Sequence, residues 1–348
     1  MQTNFPPIWG MSGVQNFFGE GYPFHRIYKW IFGKLFTFDG VLFVAKTTTI
    51  DANKGNMPMK DDGITPSDFR PACIIAGPWQ SFLGVMLNAV GLSGPGLRAL
   101  LDRNIWQQRR ASFMISFMSI AKGVDEEDGL RKRLEEFGRF ASALFVQRDR
   151  FLEFFLIQIN ISCPNVKAGE KSDALIIREA AGYLSILEDW LPGVRCIFKI
   201  NTLMRPETAV KLSQHPQCAG ICVTNTLPWA TLKWWQKALY FPSSIFTGKS
   251  PLDRFGGGGL SGRPLLALVE DWVRKARAAG FTKHINAGGG ILCARHVDRL
   301  KAAGADSVSI GTVAALRPWR LRSIIRRAYE VFGSKPDKVY EFDVPETI

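Results

Sequence analysis

Gln158-Ile159-Asn160-Ile161-Ser162-Cys163-Pro164-Asn165 follows the apolar run Phe154 to Ile157. The run predicts a buried strand, and its abrupt polar end, closed by Pro164, predicts a turn. Worked outward from there, the same unit recurs. Strands are expected near 7–12, 40–46, 112–119, 156–162, 194–200, 220–225, 283–287 and 306–311. Helices are expected over 129–147, 173–190, 205–215, 263–279, 294–303 and 319–332. Repeated strand–helix alternation predicts an α/β protein built as a parallel (β/α)8 TIM barrel, with a doubly wound open sheet as the alternative. No Pro/Ser-rich linker divides the chain, so residues 1–348 are read as one domain. Two connections are long. Segment 47–110 is expected to hold a small hairpin. Segment 226–259, with Trp229, Trp234, Trp235, Tyr240 and Phe241, reads as a lid or binding loop, an oligomer contact or a local mini-core.

Composition narrows the class. Hydrophobic residues make up 46% and charged residues 22%, which is ordinary for a globular enzyme. The net charge of +13 raises nucleic acid, an anionic membrane surface or a phosphorylated ligand as partners, against a plain solvated helix face for clusters such as Arg322, Arg326 and Arg327. The six cysteines contain no Cys-x-x-Cys and read as reduced thiols of a cytoplasmic protein. No signal peptide, membrane span or metal-ligand spacing of the four histidines is read, and no metal is expected.

A barrel carries its site at the C-terminal ends of its strands. Those ends read Lys46-Thr47, Asn160-Ile-Ser-Cys163, Lys199-Ile-Asn201, Thr224-Asn225-Thr226, Gly288-Gly289-Gly290 and Gly311-Thr312. Amides offer a donor and an acceptor to a planar ring. The thiol of Cys163 is a candidate nucleophile or proton-transfer group, with a merely buried cysteine as the plain alternative. Lys199, on a mid-barrel strand, is expected to point into the top of the interior. The glycines after strands 7 and 8, with Gly256–Gly262, sit where barrels bind phosphate, although strand-to-helix turns also use glycine structurally.

The ordered set Ala-Lys-Thr-Thr-Thr (45–49), Gly55-Asn56-Met57-Pro58, Asn88-Ala-Val-Gly91-Leu92, Asn160-Ile-Ser-Cys-Pro-Asn165, Phe198-Lys-Ile, Val223-Thr-Asn-Thr, Gly258-Gly-Leu-Ser-Gly-Arg-Pro-Leu, Ala287-Gly-Gly-Gly-Ile and Ile310-Gly-Thr resembles the dihydroorotate dehydrogenase family. The resemblance runs from about Pro7 to Phe332 and implies an FMN-dependent barrel that oxidises dihydroorotate to orotate in pyrimidine biosynthesis. It implies Cys163 as the base for the C5 proton, with hydride passing from C6 to N5 of FMN. For the substrate it implies Lys46, Asn88, Gly91, Leu92, Asn160, Asn165, Asn225 and Thr226. For FMN it implies Ser12, Gly13, Lys46, Thr47, Asn160, Lys199 and Thr224, with Ser261, Gly262, Gly289, Gly290, Gly311 and Thr312. Met11 departs from the small residue usual near the flavin ring.

Two flavin-dependent barrels rival this reading: a dihydropyrimidine dehydrogenase-like enzyme acting on uracil or thymine, and a tRNA dihydrouridine synthase. No separate RNA-binding helical domain is visible, so nucleic acid is not expected as a partner. The resemblance further implies a soluble enzyme, either a homodimer or paired with an iron–sulfur/flavin electron-transfer subunit. It leaves fumarate, NAD through a partner and quinone open as acceptors.

Overall fold

The computed structural model describes residues 5–161 and 172–333. The strands are β1 (Ile8–Gly10), β2 (Ile74–Ile75), β3 (Val85–Asn88), β4 (Phe113–Phe117), β5 (Phe155–Asn160), β6 (Cys196–Ile200), β7 (Cys218–Val223), β8 (Leu227–Pro228), β9 (Gly259–Gly262), β10 (His284–Gly288) and β11 (Ser307–Ile310). The α-helices are α1 (Pro23–Phe32), α2 (Pro78–Leu83), α3 (Leu97–Asp102), α4 (Glu126–Gln147), α5 (Asp173–Trp190), α6 (Pro206–Leu212), α7 (Trp234–Tyr240), α8 (Ser243–Thr247), α9 (Leu265–Ala278), α10 (Arg295–Ala302), α11 (Thr312–Leu316) and α12 (Leu321–Phe332).

Seven strands form a parallel sheet in the order β1-β11-β10-β7-β6-β5-β4. Its two edges meet through segment 41–48. There Gly10 N–H donates to Leu42 O at 2.9 Å and Leu42 N–H donates to Ile8 O at 2.9 Å on one side. On the other, Ala45 N–H donates to Met114 O at 2.9 Å and Thr48 N–H to Ser116 O at 2.8 Å. The sheet is therefore a closed barrel, and the open-sheet alternative falls. The strand expected at 40–46 pairs only through single bridges at Leu42, Val44 and Thr48, because it crosses from one neighbour to the other along its length.

Side chains alternate across a strand with period two. On β4, Phe113, Ile115 and Phe117 pack outward under the helices, while Met114 joins Trp9, Leu42, Val44, Leu156 and Ile197 in a cluster inside the barrel. Helix α5 starts where Ser172 Oγ accepts from Leu175 N–H. Helix α4 begins before the expected Gly129, because Asp125 caps it and three acids occupy its first turn. Those acids are not part of an apolar pattern and gave no periodic signal.

The barrel is decorated near its mouth by a second, antiparallel sheet of order β2-β3-β9-β8. The hairpin expected in 47–110 is β2–β3. Segment 226–259 holds β8, α7 and α8, and its Leu232, Phe241 and Leu252 form a small core with Leu87 and Leu260, with Trp229 packed against it. The mini-core reading fits those residues.

Phe137 of α4 is fully buried against Phe117 (ring centroids 5.3 Å apart) and Tyr183 (4.7 Å). Phe137→Ala is expected to cost about 3–5 kcal/mol, read as a lower denaturant midpoint. A shift of under about 1 kcal/mol would contradict this packing.

Candidate active site

Above the apolar floor, polar side chains occupy the barrel interior. Ser116 Oγ donates to Gln158 Oε1 at 3.2 Å and lies 2.9 Å from Thr47 Oγ1. Thr47 Oγ1 donates to Ser12 Oγ at 3.1 Å, and Lys199 Nζ donates to the same Ser12 Oγ at 2.9 Å. The register that pairs Asn160 with Lys199 and Lys199 with Cys222 carries strand-end residues to one level. At that end Asn225 Nδ2 donates to Asn160 Oδ1 at 3.0 Å, and both amides are buried. The interior is thus a stack: apolar floor, hydroxyl–amide layer with one lysine, and an amide pair at the mouth.

Lys46 supplies a second buried amine. Its Nζ donates to Ser93 O at 2.7 Å, and it lies 4.8 Å from the centre of the Phe17 ring. Burial pushes the Lys46 amine down to about 8, opposed by the charges of Glu20 and Cys73. Burial likewise raises Glu20 to about 7, against backbone N–H donors and the charge of Lys46. Arg109 is lowered to about 10 by burial, with Glu20 opposing; its Nη1 donates to Phe18 O at 3.0 Å. Lys46 is therefore a cation near neutrality that loses its proton within reach of ordinary assay pH.

The glycine turns lie where barrel geometry placed them. Gly289 and Gly290 follow β10 with φ of 103° and 85°, and a Cβ on Gly290 would lie 2.8 Å from Leu266 N. Among the described residues no acceptor takes the backbone N–H of Gly289, Gly290, Gly311 or Thr312. Backbone donors left over at two adjacent strand ends suit a phosphate dianion. Met11, the departure noted in the sequence, fits because Gly311 has no side chain: a Cβ there would lie 2.6 Å from Met11 Sδ.

The remaining expected residues are more scattered. Tyr22 Oη donates to Gly13 O at 2.6 Å, fixing the turn after β1. Asn53 Nδ2 donates to Gly91 O at 2.8 Å and Leu92 O at 3.2 Å; Leu92 is one of the few non-glycine residues with positive φ, 62°. Asn88 ends β3 opposite Gly259, which in turn pairs with Pro228, two residues after Thr226. The Ser261 hydroxyl donates to Met86 O at 3.3 Å, and Gly262 has φ of 101°. Thr224 is buried beside Cys222, 3.3 Å from its Sγ. Cys163 and Asn165 lie outside the described residues. Sequence reasoning missed Ser116, Gln158, Ser93 and Glu20. The first two had a signal, a polar residue at mid-strand in an apolar run; the last two did not.

The sequence profile of a family described as dihydroorotate dehydrogenase matches residues 79–330. The catalytic subunit of dihydroorotate dehydrogenase B (NAD(+)) from Oceanobacillus iheyensis is 26% identical over 249 residues, 71% of this chain and 72% of that protein. Its counterpart from Anoxybacillus flavithermus is 25% identical over 321 residues, 92% of this chain and 85% of that protein. A crystal structure of DHODH in complex with ferulenol from Eimeria tenella superposes with a TM-score of 0.62 at 18% identity, over 93% of this chain and 81% of that one, which is a likeness of fold.

Proposed function

This chain belongs to the dihydroorotate dehydrogenase family, an oxidoreductase family, and from that premise we propose that it oxidises dihydroorotate to orotate with FMN as cofactor. The observation that carries the proposal is the buried amide pair Asn160 and Asn225 at the end of the strands, with buried Lys199 in register beside Asn160 and buried Lys46 on the segment that closes the barrel. Bound FMN supplies the hydride acceptor for C6 of the substrate. The spare N–H groups of Gly289, Gly290, Gly311 and Thr312 would hold its phosphate. Ser12, Gly13, Thr47, Thr224, Ser261 and Gly262 line the rest of its seat. Lys199, held by Ser12 Oγ, would offer a positive charge to the bound flavin.

Asn88, Asn160, Asn165 and Asn225 grip the pyrimidine ring, with Gly91, Leu92 and Thr226 bordering it. Cys163 takes the C5 proton as general base; the C5–H electron pair becomes the C5=C6 double bond of the ring as hydride, carrying the C6–H pair, would leave C6 for the flavin. Lys46 meets the ring carboxylate. That cation favours dihydroorotate over carboxylate-free dihydropyrimidines and so over the uracil- or thymine-acting alternative. Relatives described as catalytic subunits support a second, electron-accepting subunit in the assembly.

The Lys46 assignment has a pH signature. Burial sets its proton loss at about 8, below the ordinary lysine value, so the cation is complete below that pH and lost above it. Orotate affinity, measured by equilibrium dialysis, is expected to weaken about tenfold from pH 7 to pH 9 as protonated Lys46 declines. In Lys46→Met the affinity is expected to be weak and flat over that range. A wild-type affinity unchanged to pH 9 contradicts the assignment.

A further inference from the structure

Helices α1, α2, α7 and α8 leave large apolar side chains on the surface. Trp30 is 85% exposed, Phe82 74%, Trp234 80% and Phe246 89%. Large exposed apolar groups in contiguous patches mark interaction surfaces. These four helices are joined into one belt. Trp79 Nε1 donates to Leu239 O at 2.9 Å and Gln80 Nε2 to Tyr240 O at 2.8 Å, tying α2 to α7. Arg317 Nη2 donates to Phe82 O at 3.3 Å, tying α2 to the 3-10 turn Pro318–Arg320. In that turn Trp319, itself exposed, lies 5.5 Å from the Phe32 ring of α1.

The charge of the belt is one-sided. Stretches 23–35, 78–83, 233–249 and 317–320 carry eight lysines and arginines and no Asp or Glu. The net charge of the whole chain is +13, so most of the excess is gathered beside these exposed aromatics. On α1, Ile27, Trp30 and Ile31 follow helical spacing, with Arg26 and Lys29 alongside and Lys34 in the next turn. Lys233, Lys237 and Lys249 flank Trp234 and Phe246 in the same way.

We propose that this belt docks the protein onto an anionic lipid bilayer. Tryptophan and phenylalanine enter the headgroup region, and lysine and arginine pair with lipid phosphates. A second copy of the chain would bring eight like charges against eight, with only Asp253, 3.8 Å from Lys249, at the belt's edge to offset one of them. Charge complementarity thus selects the lipid surface over self-association. No helix of the described residues is long and apolar enough to cross a membrane, so the contact is superficial. The belt borders the active site, because α2 leads through Gly84 into β3, which ends at Asn88.

The test is flotation of the full-length flavoprotein with phosphatidylglycerol/phosphatidylcholine vesicles and with phosphatidylcholine vesicles alone, scored by protein mass rather than activity. The anionic vesicles are expected to bind it at least about tenfold more strongly, with the advantage lost at high salt. Trp234→Ser/Phe246→Ser and Trp30→Ser are each expected to lower that binding about tenfold. Val146→Ser, equally a loss of an exposed apolar group but on α4 outside the belt, should leave it unchanged. Circular dichroism and flavin content establish that each variant is folded. Absence of binding to either vesicle overturns the proposal. So does self-association in analytical ultracentrifugation that the belt variants abolish, without vesicle binding.

Discussion

Cys163→Ala is expected to slow reduction of the bound flavin by dihydroorotate at least about a hundredfold, the scale of one general base. Orotate affinity and flavin content should stay near those of the unaltered protein, because in the proposed mechanism the substitution removes the proton acceptor rather than the grip. The thiol needs its thiolate form to act, and an unperturbed thiol titrates near about 8.5. The rate of flavin reduction should therefore climb on the alkaline side of neutrality. The climb opposes the loss of orotate affinity expected from Lys46, so the rate constant at saturation and the affinity move in opposite directions between pH 7 and 9 (on the basis of the Lys46 value of about 8). Rapid-reaction absorbance over a pH series separates the two. An alanine variant that reduced its flavin at the original rate would remove Cys163 from the mechanism.

Lys199→Met is the second large effect. Lys199 is buried at the end of β6 with its amine donating to Ser12 Oγ at 2.9 Å, on the hydroxyl chain that continues through Thr47 to Ser116. On the proposed FMN seat, a cation held there would cost nothing to reorganise as negative charge builds on the flavin. Its loss is expected to slow flavin reduction about a hundredfold to a thousandfold. It should also lower the two-electron potential of the flavin, by about 60 mV for a hundredfold loss of stabilisation. Spectroelectrochemical titration reads that potential independently of turnover. A variant with an unchanged potential would show Lys199 to be a structural partner of Ser12 alone.

Much of this site was legible in the chain because a parallel barrel converts sequence position into location. A polar residue at the end of an apolar strand lands at the mouth, so Asn160, Lys199, Thr224 and Asn225 could be placed before any coordinates. Asp173–Trp190 was readable to the residue, because its apolar period and the Ser172 cap agree. What the sequence hid depended on packing between distant segments. Glu20 reads as an ordinary acid between two glycines, yet burial raises it to about 7 beside Lys46. Helix α1 was not among the expected helices although Phe24, Ile27, Tyr28, Ile31 and Phe32 recur at helical spacing after Pro23, a signal the sequence carried. The aromatics of segment 226–259 divide: Trp229 and Phe241 enter a small core while Trp234 and Phe246 stay outside. Closure of the sheet by 41–48 rested on single bridges rather than a regular ladder, which local pattern cannot register.

The most direct measurement is anaerobic stopped-flow bleaching of the bound flavin by dihydroorotate, with dihydrouracil and dihydrothymine run in parallel. Rapid bleaching by dihydroorotate, at least about a hundredfold faster than by either carboxylate-free ring, is the expected result, since a site with a buried cation for the carboxylate discriminates against analogues lacking it. Equal bleaching by dihydrouracil or dihydrothymine would contradict the role given to Lys46, and no bleaching by any of the three would contradict the proposed reaction itself.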